Sequence, residues 1–146
     1  MTVHFICTGN TYRSRLAEAW CASKGIPGLR VLSSGIRAER NKELLIQPYT
    51  AQILREHGLE GFAAPAWRQT TESLIRSGDV LVFMEREHYQ FCENWIAPAR
   101  QITEIWTIAD VDFVSAGIMT EVGRTFGIIR DRVDELLSRL VPSGRA

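Results

Sequence analysis

The chain has 146 residues, 45% of them hydrophobic and 23% charged, with 17 basic and 17 acidic side chains. That size and mix fit one soluble globular domain spanning residues 1–146, and the even charge supplies no field to recruit nucleic acid or an anionic membrane surface. No apolar run approaches membrane-spanning length, and no basic segment leads into a signal-like apolar run. Cys7, Cys21 and Cys92 lack the number and spacing of a disulfide framework or zinc site, so a reducing, cytoplasmic setting is expected.

Val3 to Cys7 reads as a short buried strand. A turn of small polar residues follows, and a helix is expected from Arg13 to about Lys24, with Leu16, Ala19 and Trp20 on one face. Gly25 and Pro27 end it. Leu29 to Ser33 predicts a second strand closing in Ser34-Gly35. Strand, helix and strand within about thirty residues make a unit with parallel strands. The charged stretch Arg37 to Glu43 predicts a solvated loop or helical turn, and Tyr49 with Arg37 and Arg40 a solvated face. Pro48, a good first helical residue, opens a helix carrying Ile53 and Leu54 up to Gly58.

Phe62 to Trp67 has no regular pattern. Thr70 or Thr71 is placed to cap a short helix carrying Leu74 and Ile75, stopping by Gly78. Asp79 to Met84 is the most continuous apolar run, as expected of a strand covered on both faces. A short helix with Glu87, His88 and Phe91 follows, then a short strand over Gln101 to Ile105. A loop from Trp106 to about Gly117 carries Asp110 and Asp112. In the last helix Ile118, Val122, Phe126, Ile129, Val133, Leu136 or Leu137, and Leu140 recur every three or four residues, and Pro142 ends it. Alternating strands and helices predict a doubly wound α/β sheet of four parallel strands, whose ligands bind beyond the strands' carboxyl ends.

Cys7 stands at such an end. The amides of Thr8 to Ser14 come from a turn and a helix start, so they lack intrahelical partners and converge on an anion. A thiol in that field is acidified. Read alone, Cys7 is a buried structural thiol. With Arg13 and Ser14 in register it becomes a nucleophile in a phosphate cradle. Cys21 and Cys92 read as inert core cysteines, and His57 and His88 as makers of structural hydrogen bonds. Trp67, Trp95 and Trp106 read as packing residues.

Cys7-Thr8-Gly9-Asn10-Thr11-Tyr12-Arg13-Ser14 resembles the phosphate loop of the low-molecular-weight protein tyrosine phosphatases, which likewise lies after the first strand. Ser33-Ser34-Gly35, the Pro48 to Gly58 helix, Asp79 to Met84 with Glu87-His88, and Ile108-Ala109-Asp110 resemble later stretches of that family, so the likeness spans nearly the whole chain. It implies a three-layer fold with strand order 2-1-3-4 and helices on both faces. It also implies hydrolysis of phosphotyrosine or related aryl phosphomonoesters, on a phosphorylated protein or a small aryl phosphate, with inorganic phosphate as product.

By this resemblance Cys7 attacks phosphorus. Arg13 and the loop residues Thr8, Gly9, Asn10, Thr11, Tyr12 and Ser14 bind the phosphoryl oxygens, Ser14 donates to the sulfur, and Asn10 braces the loop. Asp110 is the general acid by register, with Asp112 the alternative, because Val111 stands where a proline usually follows the acid. No metal or cofactor is implied, and the three histidines do not pair at a ligand spacing. Tyr12 replaces a second cysteine and Arg15 a common proline. Thr11 matches the family's protein-arginine phosphatase branch, which keeps phosphoarginine open as a substrate. A non-catalytic phosphate-binding module of the same fold is the remaining alternative.

Overall fold

The alternating apolar run Thr2–Cys7 forms strand β1, flanked in register by β2 (Arg30–Gly35) on one side and β3 (Val80–Phe83) on the other. β4 (Ile102–Ile105) pairs with β3, so the sheet is wholly parallel with order β2-β1-β3-β4, as expected. This is a computed structural model of the chain, describing residues 1–42 and 44–141. Helices α1 (Arg13–Ser23), α2 (Pro48–Glu56), α3 (Glu72–Ser77), α4 (Arg86–Cys92) and α5 (Ile118–Leu140) connect and follow the strands.

Side chains alternate across β1 and β3 because successive residues of a strand point to opposite faces. Val3, Phe5, Cys7, Val80, Val82 and Met84 pack into one core with Leu16, Ala19, Val122, Phe126 and Ile129 of α1 and α5. Ile6, Leu81 and Phe83 meet Ile75 of α3 and Cys92 of α4 on the other side. The sheet thus has helices on both faces. α1 is buried along most of its length between sheet and α5, which fixes its first turn against the end of β1.

Of the two candidate caps for α3 it is Thr71 whose hydroxyl accepts from the Leu74 amide, at 3.2 Å. β2 extends two residues beyond the expected strand, since Gly35 stays in register with Cys7. In the 37–49 region the expected helical turn forms, though one of its residues is buried, and the reading of Tyr49 changes. Residues 38–40 form a single tight turn with Ala38 fully buried, anchored where the Arg37 amide donates to the Thr8 carbonyl at 2.8 Å. Tyr49 is half-buried, stacked on Phe113 with 6.3 Å between ring centroids. Glu43 and Pro142 lie outside the described residues. Among the described residues no helix is long and apolar enough to cross a membrane.

Candidate active site

The turn joining β1 to α1 is held almost entirely through its carbonyl groups. Those of Cys7 and Thr8 accept from the Ile36 and Arg37 amides at 2.9 and 2.8 Å. That of Gly9 accepts from the Asn41 side-chain amide at 2.8 Å, and that of Asn10 from Arg15 at 3.1 Å. Those of Thr11 and Tyr12 accept from the amides of Gln47 and Leu16 at 3.1 and 3.0 Å. With the carbonyls turned outward, the amides of Gly9, Thr11 and Tyr12 have no partner among the described residues. This is an anion-binding nest.

Two residue types make the tight turn possible. Asn10 has a positive φ of 58°, a backbone conformation that asparagine tolerates better than most residues. Gly35 lies directly behind the turn. A Cβ there would meet the Thr8 carbonyl oxygen at 2.6 Å, the Asn10 nitrogen at 2.7 Å and the Gly9 carbonyl carbon at 2.8 Å.

The Cys7 sulfur is buried at the base of the nest. Ser14 Oγ lies 2.8 Å from it and the Asn10 amide donates to it at 3.3 Å. Asn10 Nδ2 divides its two hydrogens between Ser14 Oγ at 2.7 Å and Ser33 Oγ at 2.9 Å. Its Oδ1 accepts from the Arg68 amide at 2.8 Å, which fixes the orientation of the side-chain amide. Ser33 in turn donates to Glu18 at 2.8 Å. Because Ser14 Oγ already accepts from Asn10, its own hydrogen is directed at the sulfur. Two donors aimed at one sulfur stabilise negative charge on it.

Arg13 closes the far side of the nest and is 2% exposed. Its Nη1 donates to Glu85 Oε1 at 2.5 Å and to the Ile108 carbonyl at 2.7 Å, so both hydrogens on that nitrogen are engaged. Nη2 is only loosely held, 3.4 Å from Thr8 Oγ1 and 3.7 Å from Asp110 Oδ2. The Nε and Nη2 edge is therefore the part of the fork open to an anion.

The first turn of α4 supports both ends of the nest. Glu85 caps it through the His88 amide while pairing with Arg13. His88 Nδ1 accepts from the Glu85 amide at 3.0 Å, so Nε2 carries the hydrogen and donates to Thr8 Oγ1 at 2.9 Å. Burial, together with the positive charges of Arg13 and Arg37, lowers the His88 pKa to about 3 and keeps the ring neutral. Glu85, Glu87 and His88 converge within 4.8 Å. Each is already engaged, Glu87 by Arg37 at 3.7 Å.

The two candidate acids separate clearly. Asp110 is half-exposed beside Arg13, with Oδ1 accepting from the Val111 amide at 2.9 Å. Asp112 Oδ1 accepts from the Val114 amide at 3.1 Å, within its own turn. Tyr12 is buried and packs edge-on against Phe113 of the same loop, with centroids 5.0 Å apart. Burial pushes its phenol up to about 12. Cys21 and Cys92 are buried elsewhere, where desolvation raises both thiols to about 12.

The structure thus brings Cys7, Thr8, Asn10, Arg13, Ser14 and Asp110 to one place. Sequence reasoning missed Glu85, Arg68 and Asn41, and it quoted Ser33 without assigning it a contact. The Ser33-Ser34-Gly35 likeness was the one signal that pointed there.

Residues 2–122 match the family model described as low molecular weight phosphotyrosine protein phosphatase. The chain is 28% identical over 148 residues to a protein-arginine-phosphatase of Bacillus subtilis (strain 168), covering 96% of this chain and 94% of that one. It is 32% identical over 93 residues to the low molecular weight protein-tyrosine-phosphatase PtpB of Staphylococcus aureus, covering 64% and 63%. The crystal structure of a Drosophila arginine phosphatase superposes with a TM-score of 0.81 at 20% identity, covering 98% of this chain and 99% of that one.

Proposed function

The chain belongs to the low molecular weight phosphotyrosine protein phosphatase family and is a cysteine-based phosphatase, and from that premise we propose that it dephosphorylates phosphotyrosine and related aryl phosphates through a phosphocysteine at Cys7. The observation that carries this reading is the nest itself, with carbonyls outward, unpaired amides and a sulfur that accepts two hydrogen bonds.

The Cys7 thiolate attacks phosphorus while the bond from phosphorus to the leaving oxygen breaks. The Nε and Nη2 edge of Arg13, with the amides of Gly9, Thr11 and Tyr12, takes the charge growing on the equatorial oxygens. Asp110, protonated in this step, gives its proton to the leaving oxygen. The same carboxylate then takes a proton from the water that attacks the phosphocysteine, releasing phosphate and restoring the thiolate. Asp112 is turned into its own loop. The half-buried pair Tyr49 and Phe113 supplies an aromatic wall beside Tyr12.

A second substrate reading, phosphoarginine, is favoured by one feature. The Thr11 hydroxyl is nearly buried next to Gly9 and has no hydrogen-bond partner among the described residues, so it is free to accept from a guanidinium. The full-length likeness to the Bacillus protein-arginine-phosphatase is consistent with it. One experiment addresses both readings. Phosphotyrosine and phosphoarginine peptides are compared as substrates of the wild type and Thr11→Ile, with a burst assay on an aryl phosphate. A burst that Cys7→Ser abolishes supports the enzyme, and phosphate binding without a burst supports a binding module. A selective loss of phosphoarginine turnover in Thr11→Ile supports the second reading. Equal effects on both peptides remove it.

A further inference from the structure

Arg15 is 1% exposed, yet it carries a full guanidinium. Its Nη1 donates to the carbonyls of Asn10 at 3.1 Å and Leu45 at 3.0 Å, and its Nη2 to that of Ala64. Nε faces Glu18 across 3.8 Å and has no hydrogen-bond partner among the described residues. Burying a guanidinium this deeply is costly, and Glu18, outside hydrogen-bond reach of it, offsets that only partly.

The three carbonyls identify what the residue organises. One belongs to Asn10, the nest residue in the left-handed conformation. The second is in the segment leading to Gln47, whose amide holds the Thr11 carbonyl. The third lies in the segment leading to Arg68, whose amide orients the Asn10 side chain. Of the six anchored carbonyls of the nest, that of Asn10 alone is held by a charged group. The others are held by backbone amides or by Asn41.

We propose that Arg15 is a positioning residue for the reaction: it pins the left-handed turn at Asn10, and with it the amide aimed at Cys7, while placing a buried positive charge on the residue whose amide meets that sulfur. The inference rests on the reading of Cys7 as nucleophile. Glu18 is the counterweight, a buried carboxylate linked to the sulfur through Ser33, Asn10 and Ser14. Burial pushes the Arg15 guanidinium pKa down, an effect that the carboxylate of Glu18 offsets in part and the positive charge of Arg68 adds to.

The test follows Cys7 alkylation by iodoacetamide as a function of pH, together with kcat/KM for p-nitrophenyl phosphate, in the wild type, Arg15→Met, Arg15→Lys and Glu18→Gln. Cys21 and Cys92, with thiols raised to about 12, stay silent in the alkylation. Arg15→Met moves the alkylation profile to higher pH by about one unit and lowers kcat/KM roughly ten- to a hundredfold. Arg15→Lys, which keeps the charge without the fork, restores the profile but not kcat/KM. Glu18→Gln keeps an oxygen for Ser33 and removes the negative charge, so its profile moves to lower pH.

A merely structural role shifts the Met and Gln variants in the same direction. If Arg15→Met does not fold, the Lys and Gln variants carry the test. A folded Arg15→Met with the wild-type profile, an Arg15→Lys with unchanged kcat/KM, or a Glu18→Gln profile that stays or moves upward overturns the proposal. Failure of the underlying reading is distinct: Cys7→Ser would then retain turnover with Arg15 intact.

Discussion

Arg13 and Glu85, 72 residues apart in sequence, meet at 2.5 Å beneath the nest, and the contact turns the open edge of the guanidinium toward the Cys7 side. Glu85→Ala frees Nη1 to reorient. Because a displacement of about 1 Å in a positioned group can cost roughly a hundredfold, kcat/KM for p-nitrophenyl phosphate is expected to fall about 10- to 100-fold. The inhibition constant of inorganic phosphate should rise in parallel. Glu85→Asp, which keeps the charge on a shorter stem, recovers part of the loss. An unchanged phosphate constant in Glu85→Ala would show that Arg13 needs no such support.

The two loop carboxylates make opposite predictions. Asp110→Asn is expected to slow turnover of substrates with poor leaving groups by about 10²–10⁴, and that of p-nitrophenyl phosphate much less, since its leaving group scarcely needs a proton. Asp112→Asn leaves both rates near wild type, because its partner is the Val114 amide in its own turn. Steady-state rates across a series of aryl phosphates of increasing leaving-group pKa check this. A slope unchanged by Asp110→Asn would rule that carboxylate out as the acid.

Gly35 is expected to tolerate no side chain. Alanine there forces a methyl group against backbone atoms 2.6 to 2.8 Å away, which cannot rotate aside. Overpacking of this kind costs about 1–3 kcal/mol. Urea unfolding of Gly35→Ala measures that loss, and phosphate titration shows whether the nest has opened as well. A full-stability variant with wild-type phosphate affinity would mean that β2 can retreat from the turn.

Two buried histidines set the acid limb of stability. His4, desolvated and near Arg68, is lowered to about 3, as is His88. In both cases the unfolded chain binds the proton between about pH 6.5 and 3 while the folded chain does not, so stability rises with pH across that window. It is fully present above about 6.5 and is lost as pH falls toward 3, at up to about 1.4 kcal/mol per pH unit for each ring. Glu18, raised by burial, works in the opposite sense, contributing stability at low pH that is lost as pH rises through its folded value. Urea midpoints between about pH 4 and 7 measure the balance, and His88→Gln should flatten the curve. A midpoint independent of pH in the wild type would contradict both assignments.

Much of this was legible in the chain itself. Cys7, Asn10, Arg13 and Ser14 could be read because they lie within one turn and their spacing fixes their geometry. The sheet order could be read because Asp79 to Met84 is apolar on both faces and the likeness to the family covers the intervening elements. Glu85, Ile108, Arg68 and Asn41 could not. Two of them act through backbone groups that carry no residue signature, and all reach the nest from segments remote in sequence. Asp110 and Asp112 differ only in which way a loop turns them, and Val111 removes the proline that would have marked the first. The stretch after Ile36 looked solvated because its charges hide one buried alanine and two structural amides, the Arg37 backbone and the Asn41 side chain.

The Tyr12 hydroxyl is buried near the Thr125 side chain, short of full hydrogen-bond geometry with it. Removing it should cost little. Tyr12→Phe keeps the edge-on contact with Phe113 and is expected to unfold at the same or a slightly higher urea concentration, by up to about 1 kcal/mol, with kcat/KM unchanged. A marked loss of stability would reveal a partner for that hydroxyl.

With its carbonyls tied on every side, the nest has its shape before any anion arrives. The ordering of Cys7 to Tyr12 is completed at folding, so capture of a phosphoryl group has no loop to freeze. Phosphate should therefore bind with little change in the hydrogen exchange of the segments around it, and with most of its entropy change coming from released water rather than from the chain.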